Sequence, residues 1–328
     1  MMRKGLGSLL MVPVLLATIA LAVEKESKVY RVGVMVEGGR TVVTAQIKGL
    51  HDGLEEAGYI EGKNLLLDLL REDTDDKLRA RVKAFIQQKI DVIVATSGAE
   101  TAIARESTDK IPIVFMPAAE PVRSGFVKSL ARPGTNLTGL TFYTDLEDTG
   151  KQLEVFKEVV PSMRRVIVLY DGRNDPTQAD SLTAVRKTAA HLAIKLTEKP
   201  ITSIVEGERA LSALPKPAAA GVFVICGTMF KALKGIASIA IGKRMPLFGC
   251  SASQVIEEKV FLTYAPDLYY IGYRGASYVD RILRGAKPQY LPVETPTKFE
   301  LVINLKTAKK IKLTVPSEVL ILADRVIN

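Results

Sequence analysis

Three carboxylates, Glu120, Asp171 and Asp267, each stand just beyond a short apolar run, the place where open α/β sheets collect ligands. There a carboxylate can act as an acid/base group or hold an ammonium group without any chemistry. Beside them, at the ends of other apolar runs, lie Ser97-Gly98, Ala118-Ala119, Asn174, Gly227-Thr228 and Cys250-Ser251. Backbone N–H groups at helix starts after Ser97, Thr228 and Ser251 are suited to an anion, and a Ser there serves equally well as the cap of its own helix. Tyr143, Phe230 and Tyr264 offer flat faces to a planar ligand, with packing at the hinge as the alternative for each and the favoured one for Tyr264. The partners that turn such groups into a hydrolase are missing. His51 and His191, the only histidines, fall inside predicted helices, so a Ser-His-Asp or Cys-His mechanism has no base. No HExxH, CxxC or GxxxxGK[ST] pattern occurs, which removes the usual support for metal hydrolase, redox and nucleotide-triphosphatase chemistry. The expectation is a binding site with no metal and no cofactor.

The elements that must position these residues alternate between strand and helix. Apolar runs at 29–36, 65–70, 90–95 and 111–116 are separated by amphipathic stretches at 44–57 and 77–89 and by a helix opening at about Ala99. A short helical turn at 127–130 and an extended run at 137–143 then lead onward. The alternation restarts with helix 146–160, strand 165–170, helix 177–192, strand 194–197, helix 206–214, strand 221–226, helix 230–241, strand 245–250 and helix 252–258. Strand 260–264, helix 268–283, strand 299–305, a short helix and an apolar turn close the chain. Strands buried on both faces and joined by helices imply parallel, doubly wound sheets. With 328 residues, 47% of them hydrophobic, the chain suits two Rossmann-like lobes rather than one core.

Residues 1–22 read as a cleaved export signal. Arg3 and Lys4 precede an apolar run of 14 residues, Leu9 to Ala22, too short to span a bilayer as a helix, and Ala20-Leu21-Ala22 supplies a cleavage site. No cysteine follows to accept a lipid, so a periplasmic, freely soluble chain is expected. Without Arg3 and Lys4 the 45 basic residues fall to 43 against 36 acidic ones. That charge is spread without a basic block, which argues against nucleic acid. Cys226 and Cys250 end strands that are neighbours in a 2-1-3-4-5 order, so a disulfide and two buried thiols are both open readings.

Several blocks together resemble the family of ABC-transporter substrate-binding proteins that includes bacterial tryptophan and tyrosine binders. They are Gly58 to Asn64, Ile111 to Phe115, Pro121-Val122 with Ser124-Gly125, Leu130 to Gly134 with Asn136 to Gly139, Tyr264 with Pro266-Asp267, and Pro292 to Glu294 with Pro296 through Lys309. The resemblance implies a type I periplasmic binding protein: two α/β lobes joined by a hinge, enclosing a small ligand. Lobe one is expected at 28–140 with a return at 266–288, lobe two at 144–262, and a C-terminal segment 289–328 crossing or bracing the hinge. The chain departs from the family pattern at three places. Glu120-Pro121-Val122-Arg123 stands for Asp-Pro-Val-Gly, Pro133-Gly134-Thr135 for Pro-Gly-Gly, and Lys312 for Gly.

The function expected is that of a monomeric carrier, delivering a small carboxylate-bearing solute, an amino acid or analogue, to a membrane permease and its ATPase. A sensor module for a membrane receptor shares the layout. An exported enzyme using Glu120, Asp171 and Asp267 ranks below it, and a repressor core lower still, since an export signal occupies the place of a DNA-binding headpiece.

Overall fold

A computed structural model of the chain describes residues 28–37, 43–72, 74–142, 147–173, 176–215 and 220–328. The export segment, Tyr143 and Asn174 lie outside these residues. The first lobe runs β1 (Tyr30–Glu37), α1 (Val43–Glu56), β2 (Leu65–Glu72), α2 (Asp75–Gln87), β3 (Val92–Ala95), α3 (Gly98–Ser107), β4 (Ile113–Ala118) and β5 (Leu137–Thr141). Its five strands are all parallel, in the order β2-β1-β3-β4-β5. Every residue of β3 and β4 is buried, because helices cover both faces of the sheet. One face packs Val32, Val34, Leu50 and Leu54, the other Met35, Phe85, Ile93 and Phe115.

The helical turn expected at 127–130 does not form. Phe126 and Val127 are buried individually in the lobe-one core, and the Lys128 N–H donates to Pro133 O (2.8 Å) in place of a helical partner. A tight turn at 120–125 precedes it, with the Ser124 N–H on Glu120 O and the Phe126 N–H on Pro121 O.

The second lobe continues with α4 (Glu147–Val159), β6 (Arg165–Asp171), α5 (Pro176–His191), β7 (Lys195–Ile201), α6 (Ile204–Ala213), β8 (Ala220–Val224), α7 (Lys234–Gly242), β9 (Leu247–Phe248), α8 (Ala252–Glu257) and β10 (Leu262–Pro266). There follow α9 (Leu268–Leu283), β11 (Phe299–Asn304), α10 (Leu305–Ile311), α11 (Ser317–Leu322) and β12 (Arg325–Ile327). Seven strands order as β12-β11-β10-β9-β8-β6-β7, with β10 and β11 the antiparallel pair. The expected helix at 230–241 is split. A 3₁₀ turn, Thr228–Lys231, kinks at Phe230 before α7 begins. β12 escaped the sequence reading because this outer strand is only three residues long and partly exposed, without the apolar run that marks a buried strand.

Helix α9 returns to lobe one and lies on α1. The approach is backbone on backbone: a Cβ on Gly272 would sit 2.0 Å from Gln46 O, and one on Gly49 2.0 Å from Tyr269 O. Tyr278, fully buried, donates its hydroxyl to Pro292 O (2.6 Å), and Tyr59 donates to Asp280 (3.0 Å). The chain then runs beside β5, where the Glu294 N–H donates to Gly139 O and Glu294 O accepts from the Thr141 N–H, before β11 joins the second sheet. Three stretches therefore connect the lobes: the one after Thr141, the one at Asp267, and 294–299.

Lys312 caps α10 with φ +60, a left-handed conformation that costs a side chain about 1 kcal/mol and suits Gly. That explains the Gly usual there in the family the chain resembles. Close helix contact gives a sharper test. Gly272→Ala has no flexible neighbour to displace and is expected to lower unfolding free energy by about 2 to 3 kcal/mol, measured by urea denaturation.

Candidate functional site

The loops expected to face a cleft leave the C-terminal ends of parallel strands. From lobe one these are the starts of α3 and the 118–125 loop, and from lobe two the loops after β6, β8 and β9. They come within reach of one another: Arg123 of the 118–125 loop donates to Asp180 on α5 (3.1 Å) and to Thr177 Oγ1 (3.5 Å).

Each expected residue has a definite place. Ser97 caps α3, its Oγ accepting from the Ala99 N–H (3.2 Å) while its hydroxyl donates to Glu100. Gly98 faces open space. Ala118 is buried at the end of β4, Ala119 is exposed, and Glu120 turns the chain with φ +46. Gly227 lies against Gln178, and Thr228 opens the 3₁₀ turn. Ser251 precedes α8, its Oγ 3.0 Å from Ser253 Oγ.

Three expectations are corrected by packing. Phe230 is 1% exposed among Leu233, Ile236 and Val255, so it builds the lobe-two core and has no face for a ligand. Asp171 is buried and held by Arg173, which donates from Nε at 2.9 Å and from Nη2 at 2.5 Å. The Arg173 guanidinium keeps that carboxyl below the usual carboxylate range. Asp267 is the N-cap of α9: Oδ1 accepts from the Tyr270 N–H (3.1 Å) and Oδ2 pairs with Lys298 (2.9 Å). Both acids therefore already carry partners within the protein. Tyr264 stacks on Phe299 at 5.3 Å, the hinge-packing alternative. His51 and His191 sit on α1 and at the end of α5, at least partly exposed.

Cys226 and Cys250 form a disulfide, with Cα atoms 5.5 Å apart. It clamps the loop after β8 to the loop after β9, and closing a loop of this length contributes about 3.5 kcal/mol in the chain-entropy account.

Buried glutamines do the positioning that sequence reasoning missed. Gln178 accepts from the Asp171 N–H (3.0 Å) and donates to Cys226 O (2.9 Å), joining the ends of β6 and β8. Gln254 accepts from the Cys250 N–H (2.8 Å) and donates to Phe230 O (2.7 Å). Gln46 donates to Met116 O (2.5 Å) and Thr96 O (3.4 Å), joining β4 and β3 in lobe one. A signal existed: Gln178 stands in register with Leu182, Val185 and Ala189, a polar residue on an apolar helix face.

At the hinge a hollow of about 390 Å³ lies between Leu140, Tyr270, Arg274, Val293 and Glu294. A larger one of about 610 Å³ lies against Arg105, Ser124 and Phe126 of lobe one and contains none of the expected residues. Close to the hinge, Glu300 is pushed up to about 7 by burial and by the Asp267 and Asp324 carboxylates, against Arg325 and Lys298.

Two α/β lobes joined by a hinge, with largely parallel sheets, correspond to the type I periplasmic binding protein fold. The comparisons agree. The family described as ABC transporter substrate binding protein matches residues 31–327, and the chain belongs to it. A tyrosine-binding protein of Clostridioides difficile is 26% identical over 265 residues, 80% of this chain and 75% of that one. A conserved domain protein from Vibrio cholerae is 29% identical with a TM-score of 0.77, covering 91% of this chain and all of that one. An ABC domain from Streptococcus pneumoniae in complex with L-Trp is 21% identical, also with a TM-score of 0.77, over 92% of this chain and all of that one. Proteins of this family bind a small molecule outside the cytoplasm and serve an ABC transporter. No helix among the described residues is long and apolar enough to cross a membrane, and no cluster of three metal-ligating side chains occurs among them.

Two measurements probe this site. Gln178→Leu strands the Asp171 N–H and the Cys226 carbonyl, so unfolding free energy is expected to fall by about 1 to 3 kcal/mol, with faster amide exchange at Asp171. Glu300 has a folded pKa above its unfolded one, so its protonated form favours folding, and that contribution is present below about pH 4.5 and lost as pH rises through about 7. Glu300→Gln should therefore match the parent at pH 4 and melt about 2 to 4 °C higher at pH 8.

Proposed function

We propose that this chain is exported, loses residues 1–22 and acts as a monomer that captures an amino acid or close carboxylate-bearing analogue and hands it to an ABC permease. The observation that carries the reading is the convergence of strand-end loops from both lobes on one cleft, joined by the contact between Arg123 and Asp180. Ligand class is supported by the relatives, one a tyrosine-binding protein and one holding L-Trp.

In this reading Gly98, Ala119, Glu120, Gly227 and Ser251 face the solute, with N–H groups at the start of α3 holding its carboxylate. Glu120 takes the ammonium group. The other two candidate acids are engaged by Arg173 and by Lys298 with the cap of α9, whereas Glu120 meets Arg123 at 3.9 Å. A ligand touching both lobes favours their approach through contacts that exist only in the closed arrangement. Nothing in this scheme requires chemical change of the ligand.

Calorimetry with a panel of amino acids tests the proposal. A micromolar Kd corresponds to about 8 kcal/mol, and Glu120→Ala should remove roughly 1.5 to 3 kcal/mol of it. Asp267→Ala should lower stability and leave affinity nearly unchanged. Absence of binding by every amino acid and carboxylate analogue, or turnover of a bound one, would overturn the assignment.

A further inference from the structure

Arg123 stands where the family pattern described above has Gly, and through it the lobe-one rim reaches lobe two. Its guanidinium donates to Asp180 (3.1 Å) and Thr177 Oγ1 (3.5 Å), both on α5, and its Nε lies 3.9 Å from Glu120 of its own loop. Thr177 and Asp180 are three residues apart on α5 and so present one face of that helix to the rim. The tight turn begun by Glu120 at φ +46 puts Arg123 opposite that face. A Gly at 123 has no side chain to span the gap.

We propose that Arg123, held between Glu120 and Asp180, is a latch across the cleft mouth that biases this chain toward lobe closure by charge, in addition to any contribution from the solute. The physical reason is differential contact. When the lobes part about the hinge, Arg123 and Glu120 travel with one lobe while Asp180 and Thr177 travel with the other, so the bridge exists only in the closed arrangement. All three charged side chains are between 40% and 46% exposed, and water screening limits an exposed pair to about a two- to fivefold shift in an equilibrium. Such a shift is small for folding. It is decisive for a hinge whose two arrangements lie close in free energy. A solute ammonium on Glu120 would release Arg123 from its own lobe and leave Asp180 as its partner, so the latch and the ligand site share one carboxylate.

The use of the latch rests on the solute-binding reading, but its existence does not, and the test uses no ligand. Small-angle scattering on the purified chain at about 20 mM and about 500 mM salt spans Debye lengths from roughly 20 Å to about 4 Å. The parent is expected to show a larger radius of gyration at high salt. Arg123→Ala and Asp180→Asn should each show that larger value already at low salt and lose the salt response. The double variant should add nothing further. Both positions are on the surface, so circular dichroism should stay unchanged. Single variants that keep the parent's dimension and salt response, or whose effects add, would overturn the latch whatever calorimetry says of amino acids. A chain that binds no amino acid yet opens with salt and with Arg123→Ala would retain the latch and lose the ligand assignment.

Discussion

The close approach of α1 and α9 is the constraint on which the two-lobe arrangement depends. After building a complete second sheet the chain must return to the first lobe, and a helix can lie backbone on backbone only where both partners lack a Cβ. Gly49 and Gly272 meet that condition, with Gln46 and Tyr269 carbonyls occupying the space a side chain would need. Since α9 is seated on lobe one while β10 before it and β11 after it pair in lobe two, the chain crosses the gap twice within some thirty residues. The hinge is a consequence of that return, and the cap of α9 by Asp267 lies at its turning point.

On either side of the hinge the cleft loops are held by a small set of buried polar ties. Gln46 in lobe one and Gln178 in lobe two occupy corresponding helices, the one after each lobe's first strand, and each joins the ends of two strands. The Cys226–Cys250 bridge and Gln254 add a second layer under the loops of lobe two. Loops fixed in this way lose little entropy on binding, which is how a modest ligand obtains useful affinity. The rim differs from this interior. Its contacts are exposed charges, weak singly and sensitive to salt, and thus suited to an arrangement that must open again.

In this member of the ABC transporter substrate binding family, acids at strand ends are largely taken up by partners within the protein. Asp171 and Asp267, acids that by position alone suggest chemistry, are spent on Arg173 and on the α9 cap with Lys298. Glu120 is the acid left at the rim, partnered only loosely by Arg123.

Local pattern determined much of this. The alternation of apolar runs with amphipathic stretches specified strands and helices in nearly their observed order, because strands buried on both faces and helices with one apolar stripe are written in consecutive residues. Helix 268–283 was legible to the residue, as were the loops at strand ends. What pairs across the chain was not. Whether Cys226 and Cys250 join across 24 positions, and that Arg123 meets Asp180 across 57, is decided by packing, as is whether Phe230 faces a ligand or a core and which carboxylates are already paired. Spacing along the chain carries period and punctuation; the partner of a side chain is chosen only when the elements pack, within a lobe for Cys226 and Cys250 and between lobes for Arg123 and Asp180.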